Sequence, residues 1–328
     1  MPEWSVAEPK QLTFDAPVRT LRVRVVGGAV NVVGTDEDEA RLEVSEISGP
    51  PLTVTQSGDS LSVAYEDLPW MGLLEWLDPR ESRETRRKAV VSLAVPAGTR
   101  VEVGVISAGA VITGIEDHAA VRSITGDATL VGLTGPVRTE SFSGNVEAQG
   151  VTGDLRFESV SGDLTVFEGT GPSVRAQSVS GSMIVDLDPV GDPTDIGLTS
   201  VSGEIAVRLP HPVDADVRAD TASGSVSCDF EDLRVTGQWG AKKITGRLGS
   251  GGGRLRAKTI SGSIAVLRRP QVEEDLYGPE KPPAETPPQD PPPADSAPAS
   301  SAAPSPDAPT DAPKADPTAE APTDKKVL

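Results

Sequence analysis

The chain has 328 residues, a formal net charge of −19, two histidines and one cysteine. The single Cys228 excludes an internal disulfide framework and a multi-cysteine zinc site, and His118 and His211 are too few for a histidine-rich metal centre, so neither metal nor cofactor is expected. So acidic a chain repels phosphate backbones, because nucleic-acid affinity comes mainly from Lys and Arg displacing counterions; nucleic acid is not an expected partner.

Residues 1–10 form a lead in which Pro2, Glu3 and Glu8 stand where a secretory signal needs basic residues and then an apolar run, so a cytoplasmic location is expected. The longest uncharged run, Val103 to Ile115, has 13 residues including three glycines, too few to span a bilayer as a helix. From residue 11 to 99 period-two alternation predicts strands: Leu12 and Phe14, Leu21 to Val25, Val30 and Val32, Leu42 and Val44, Leu52 and Val54, Leu61 to Tyr65, and Val91 to Val95. Pro96-Ala-Gly98 reads as a turn, not a linker, so these strands are expected to begin the same sheet system as the segment that follows.

One segment breaks the rhythm. Leu68-Pro-Trp-Met-Gly-Leu-Leu-Glu-Trp-Leu77 gathers two of the four tryptophans and is followed by Arg80, Arg83, Arg86, Arg87 and Lys88. Its residues Trp70, Met71, Leu73, Leu74, Trp76 and Leu77 are the candidate partner-binding set, since tryptophan often carries interface energy. The same composition suits a lid over the open end of a strand stack, or an interfacial membrane contact beside anionic lipid.

From residue 100 to 269 a glycine recurs on a nine-residue clock: Gly126, Gly135, Gly144, Gly153, Gly162 and Gly171. Alternate members carry a fuller motif, as in Ser141-Phe-Ser-Gly144, Ser159-Val-Ser-Gly162, Ser178-Val-Ser-Gly181, Ser200-Val-Ser-Gly203 and Thr259-Ile-Ser-Gly262; Lys243-Ile-Thr-Gly246 fits more loosely. Apolar residues sit two before and two after each glycine, which reads as an inward face carrying Val160, Val179 and Val201 with Ser and Thr outward. The glycine marks a corner with no room for a side chain, or one that needs a positive backbone angle. One unit of about 18 to 22 residues cannot bury its own apolar face, so units must stack. The expected fold is all-β: a single-stranded β-solenoid, or β-helix, with about eight coils between Val101 and Leu267. An antiparallel β-sandwich is the rival, and gives no reason for the clock.

The serial Ser-x-Ser-Gly-Asp/Ser/Glu-aliphatic motif resembles the bacterial putative-adhesin family of unknown function, also called the Toastrack domain. The resemblance covers roughly Leu12 to Leu267. It implies a β-helix of strand repeats and a non-enzymatic scaffold, in some relatives attached to membrane anchors and linked with envelope-stress signalling.

The remaining site candidates have plain readings. Asp127, Asp154, Asp163 and Glu204, with Asn145 in the same slot, follow corner glycines and could ligate Ca²⁺, but Pro136, Ser182, Ser225 and Ser263 interrupt the series and solvated turn residues explain it. Neither histidine stands in a nucleophile motif, which disfavours an enzyme; a carbohydrate-active β-helix enzyme is the runner-up class. Cys228 falls in an inward slot, as a packing residue, and Trp239 is expected to pack as well. Residues 270–328 hold 16 of the 30 prolines and 12 acidic residues, the composition of a solvated, disordered arm. A non-catalytic scaffold or binding protein follows, with an unidentified protein partner and only a minor membrane contact.

Overall fold

A computed structural model describes residues 2–65, 87–188, 195–210, 212–238 and 240–269, all within one unit, Met1–Val272. The candidate set Trp70, Met71, Leu73, Leu74, Trp76 and Leu77 lies outside the described residues, as do His211, Trp239 and the segment 270–328. Strands alternate along the chain as the period-two pattern requires. The N-terminal eight are β1 (Glu3–Val6), β2 (Lys10–Phe14), β3 (Thr20–Val25), β4 (Gly27–Thr35), β5 (Ala40–Ser48), β6 (Leu52–Ser57), β7 (Ser60–Ala64) and β8 (Lys88–Pro96). Two-strand coils follow: β9 (Arg100–Val105) with β10 (Gly109–Thr113), β11 (Ala119–Ser123) with β12 (Ala128–Val131), β13 (Val137–Ser141) with β14 (Val146–Gln149), and β15 (Leu155–Ser159) with β16 (Leu164–Gly169). Then come β17 (Ser173–Ser178) with β18 (Met183–Leu187), β19 (Asp195–Ser200) with β20 (Ile205–Leu209), and β21 (Ala215–Thr221) with β22 (Val226–Cys228). A hairpin of β23 (Leu233–Gln238) and β24 (Ala241–Leu248) precedes the last coil, β25 (Gly253–Thr259) with β26 (Ile264–Arg268).

Odd and even coil strands build two sheets. One has 14 strands in the order β1-β6-β7-β3-β9-β11-β13-β15-β17-β19-β25-β21-β24-β23, and the other 12 in the order β2-β5-β8-β4-β10-β12-β14-β16-β18-β20-β26-β22. Successive coils pair in parallel and in register, so Val137, Leu155 and Val174 stack as one column. The apolar faces of both sheets share a single core. This is the expected solenoid, with eight coils between residues 100 and 269 and the N-terminal strands β3, β4, β7 and β8 stacked on the same two sheets.

The clock glycines exist because backbone rests on backbone. A Cβ on Gly144 would lie 2.0 Å from the carbonyl oxygen of Gly126, and one on Gly162 would lie 2.1 Å from that of Gly144. None of these corner glycines has a positive φ, so space rather than backbone angle selects them. Gly132 and Gly150 differ: both have φ of +61° at the opposite corner, and the next residue in that column, Glu168, keeps a φ of 54°. A side chain in that left-handed conformation carries a steric penalty of about 1 kcal/mol.

The corner corrects the expected facing of the motif. Its first hydroxyl residue points inward: Ser141, Ser178, Ser200 and Thr259 are buried. Ser141 Oγ donates to the Gly144 carbonyl (2.7 Å), while the N–H groups of Gly162, Gly181 and Gly203 donate to Ser159, Ser178 and Ser200 Oγ (2.8, 2.8 and 2.9 Å). Local hydroxyl bonds thus satisfy the turning backbone. Where Ser141, Ser159, Ser178 and Ser200 turn inward the next residue faces out, so Phe142, Val160, Val179 and Val201 are exposed and not buried, whereas Ile124 after Ser123 is buried. The acidic slot is also structural rather than merely solvated. Asp127 Oδ1 accepts from the Asn145 N–H (2.8 Å), Asn145 Oδ1 from the Asp163 N–H (3.1 Å), and Asp163 Oδ1 from the Ser182 N–H (2.7 Å), a ladder that joins the four successive coils from Asp127 to Ser182.

At one end both sheets finish in antiparallel strands, β1-β6 and β2-β5; at the other the 14-stranded sheet finishes in antiparallel β24-β23 beside β21, while the 12-stranded sheet ends on the parallel strand β22. Lys243-Ile-Thr-Gly246 is therefore no corner; it runs along β24. The final coil does not extend the stack but inserts into it, with β25 between β19 and β21 and β26 between β20 and β22.

Two substitutions test this backbone argument. Gly144→Ala forces adjacent coils apart and lowers stability by at least about 2 kcal/mol. Glu168→Gly relieves the left-handed side chain and raises stability by about 1 kcal/mol; denaturant midpoints of both variants against the wild type measure the two shifts.

Candidate functional site

Two features of the outer surface stand out from the repetitive body. The first is a ridge along the Ser-x-Ser-Gly corner, where Phe142, Val160, Val179, Val201 and Ile260 are between 38 and 57% exposed. Its backbone is pinned from both sides. The Phe142 carbonyl accepts from the N–H (2.9 Å) and the hydroxyl (3.2 Å) of Ser161, and the Val160 carbonyl accepts likewise from Ser180 (2.9 and 3.2 Å). Ser202 Oγ repeats the bond to the Val179 carbonyl (3.4 Å). The ridge thus presents apolar side chains from successive coils on a rigid line.

The second feature is charge. Strands of the 14-stranded sheet carry 15 Lys and Arg against 7 Asp and Glu, whereas those of the 12-stranded sheet carry 5 of each. In-register pairing lines up Arg138, Arg156 and Arg175 on neighbouring strands. Carboxylates one row over offset part of this: Arg138 and Arg156 reach Glu140 and Glu158 at 2.7 Å each, and Arg122 reaches Glu140 at 3.1 Å. Burial alone would raise the Glu140 carboxyl, but the Arg138 and Arg122 guanidiniums outweigh it and hold the group below its ordinary value. Arg24, only 3% exposed, is lowered to about 10 by burial and by Arg122 and Arg22, and stays charged at neutral pH.

His118, half-buried between β10 and β11, lines a small cleft of about 240 Å³ with Arg138, Arg156, Arg175 and Asp154. Each of the three guanidiniums is already ion-paired, Arg138 to Glu140, Arg156 to Glu158 and Arg175 to Asp195. A larger cleft of about 730 Å³ opens where β19, β25 and β21 end beside the β23–β24 hairpin, and Lys242, Lys243, Lys258, Thr199 and Thr236 are among its lining residues. Nothing in the repeat signals it, because the hairpin that forms one wall departs from the repeat. Cys228 is half-buried against the core rather than fully inward, since β22 is the outermost strand of its sheet. Burial pushes its thiol up, although the Phe230 N–H donates to Sγ at 3.5 Å and works the other way; Asp229 adds to the rise.

The Toastrack DUF4097 family model matches residues 19–267. The chain belongs to this Toastrack family. No curated protein matches the sequence. Among solved structures, a "putative cell adhesion protein" from Clostridium sporogenes ATCC 15579 is 12% identical, with 80% of this chain and 100% of that one covered at a TM-score of 0.25. A "putative lipid binding protein" from Parabacteroides distasonis ATCC 8503 is also 12% identical, with 81% and 98% covered at a TM-score of 0.38. Membership fixes the Toastrack repeat over most of the chain and leaves its activity open.

Glu140 and Cys228 give measurable consequences. A carboxyl lowered in the folded state adds stability above its unfolded value of about 4.3, and that stability is lost as pH falls through the lowered folded value. Glu140→Gln is therefore less stable than the wild type at neutral pH, and thermal melts show the gap closing as the pH falls below the unfolded value of about 4.3. A raised thiol reacts slowly, so iodoacetamide at about pH 8 labels native Cys228 at least about tenfold more slowly than the unfolded chain.

Proposed function

We propose that this Toastrack chain is a non-catalytic binding scaffold whose corner ridge docks a protein partner, in protein assembly or envelope-stress signalling. The observation that carries the reading is the exposed apolar line of Phe142, Val160, Val179 and Val201, which occupies one position in four successive repeats. Water contact with apolar side chains is unfavourable, and a line of them on a rigid backbone offers a partner burial without loss of chain entropy. The polar residues of the same corner are committed to structure. Ser141, Ser159 and Ser178 hold the glycine peptides, and Asp127, Asn145 and Asp163 hold the next coil. The competing reading as a polysaccharide-active enzyme would need acids free to titrate against a substrate.

The triple variant Phe142→Ser, Val160→Ser, Val179→Ser tests the ridge. Each exposed substitution shifts stability by no more than about 0.5 kcal/mol. Proteins crosslinked to the wild type in the native cell are lost from the triple variant at an unchanged melt, and are retained by Trp70→Ala with Trp76→Ala. Loss from the tryptophan variant alone moves the docking site to the 68–77 insert and overturns the ridge.

A further inference from the structure

The end of the 14-stranded sheet concentrates positive charge beyond anything its packing requires. β21, β23, β24 and β25 carry eight Lys and Arg against Asp216 and Asp220, in a chain whose net charge is −19. Asp220 holds Arg218 at 3.0 Å and Lys243 at 3.6 Å. Among the described residues, Arg254, Arg256, Lys258 and Lys242 have no ion pair. Arg254, Arg256 and Lys258 alternate outward along β25, and the neighbouring β19 offers only Gly197 and Thr199 beside the last two, which leaves them open on that flank. Arg256 stands directly opposite Arg218 in the ladder. Like charges placed opposite each other on neighbouring strands destabilise a sheet.

This unfavourable arrangement borders the 730 Å³ cleft. That volume suits a small organic ligand. Its lining combines three ammonium groups, Lys242, Lys243 and Lys258, with the hydroxyls of Thr199 and Thr236 and the apolar side chains of Val201 and Ile260. Ammonium groups act as point charges toward phosphate, hydroxyls donate to its oxygens, and the carboxylate of Asp220 is already occupied by Arg218 and Lys243. We propose that this cleft binds a phosphate-bearing ligand, with Lys242 and Lys258 contacting the phosphate and Val201 and Ile260 the apolar part. The cleft shares Val201 and Ile260 with the end of the ridge, but Phe142, Val160 and Val179, the ridge's test positions, lie outside its lining, so the two readings fail separately. At physiological salt the field of the cluster reaches about 8 Å, so the acidic residues elsewhere do not neutralise it locally.

Two sources share this chemistry, a soluble phosphate ester and the headgroup of an anionic phospholipid. The full chain is titrated with inorganic pyrophosphate by calorimetry, and sedimented with vesicles of phosphatidylcholine with and without about a third phosphatidylglycerol. Saturable binding of pyrophosphate supports the proposal. Vesicle binding that requires phosphatidylglycerol and is competed by pyrophosphate assigns the headgroup source; pyrophosphate binding without vesicle binding assigns the soluble one. Lys242→Gln with Lys258→Gln weakens binding at least tenfold while the ligand-free protein melts close to the wild type, because neither lysine forms an ion pair among the described residues. Lysines that merely support the fold would lower that melt. Thr236→Glu, which places a carboxylate in the cleft, lowers affinity likewise and covers the case in which the double variant misfolds. Absence of binding to either probe, or wild-type affinity in both variants, overturns the proposal.

Discussion

At each Ser-x-Ser-Gly corner the peptide of one coil lies on the peptide of the next, and no Cβ fits between them. Everything else in the stack follows from that approach. Parallel strands hold their neighbours at about 4.8 Å only if the connecting turns repeat at the same spacing. A turn lifted by one methyl would open the ladder on both sides of it. Glycine therefore occupies the corner through seven coils, and the polar residues around it are consumed in holding the turn flat. Ser141 and Ser178 bond the turn from inside, and Asp127 and Asp163 bond the coil above from outside.

A body so regular has little local variation from which to build a site, and its exposed features arise where the repeat is copied or where it stops. Copying produces the apolar ridge, because the residue after the inward Ser is held outward at the same corner in successive coils from Phe142 to Val201. Stopping produces the basic cleft, because β24 and β23 turn antiparallel and form a wall that a further coil would not provide. Charge is partitioned in the same way, with positive side chains gathered on one sheet of a strongly acidic chain.

Strands, coil count and corner glycines were legible because each rests on a short period repeated many times. The facing of Val160 and Val179 was not. Two exposed residues, the apolar one and the second Ser, separate the inward Ser159 from the inward Gly162, so alternation counted back through the corner slips by one. Cys228 was misplaced for a related reason, since its slot is inward in interior coils and half-open at the edge strand. The net charge of −19 concealed the basic sheet, because a sum over the chain keeps no record of which face each residue occupies. The pairing of β25 with β19 was invisible as well, because no sequence-local signal links Arg254 to Asp195 across the intervening hairpin.

That late strand bears on how the chain is made. A polypeptide emerges from the ribosome N-terminus first, and coils up to β19 and β20 can be laid down in the order of synthesis. β21 and β22 then emerge with no parallel partner, since their neighbours β25 and β26 have not yet been translated. The stack closes only when residues 253–268 slide into the gap, so the whole C-terminal quarter stays unfinished until translation has passed the end of the solenoid. Nascent chains stalled shortly before residue 253 would thus expose the core-facing edge of β19 and β20, where a chaperone or a second copy could add a strand in place of the missing one.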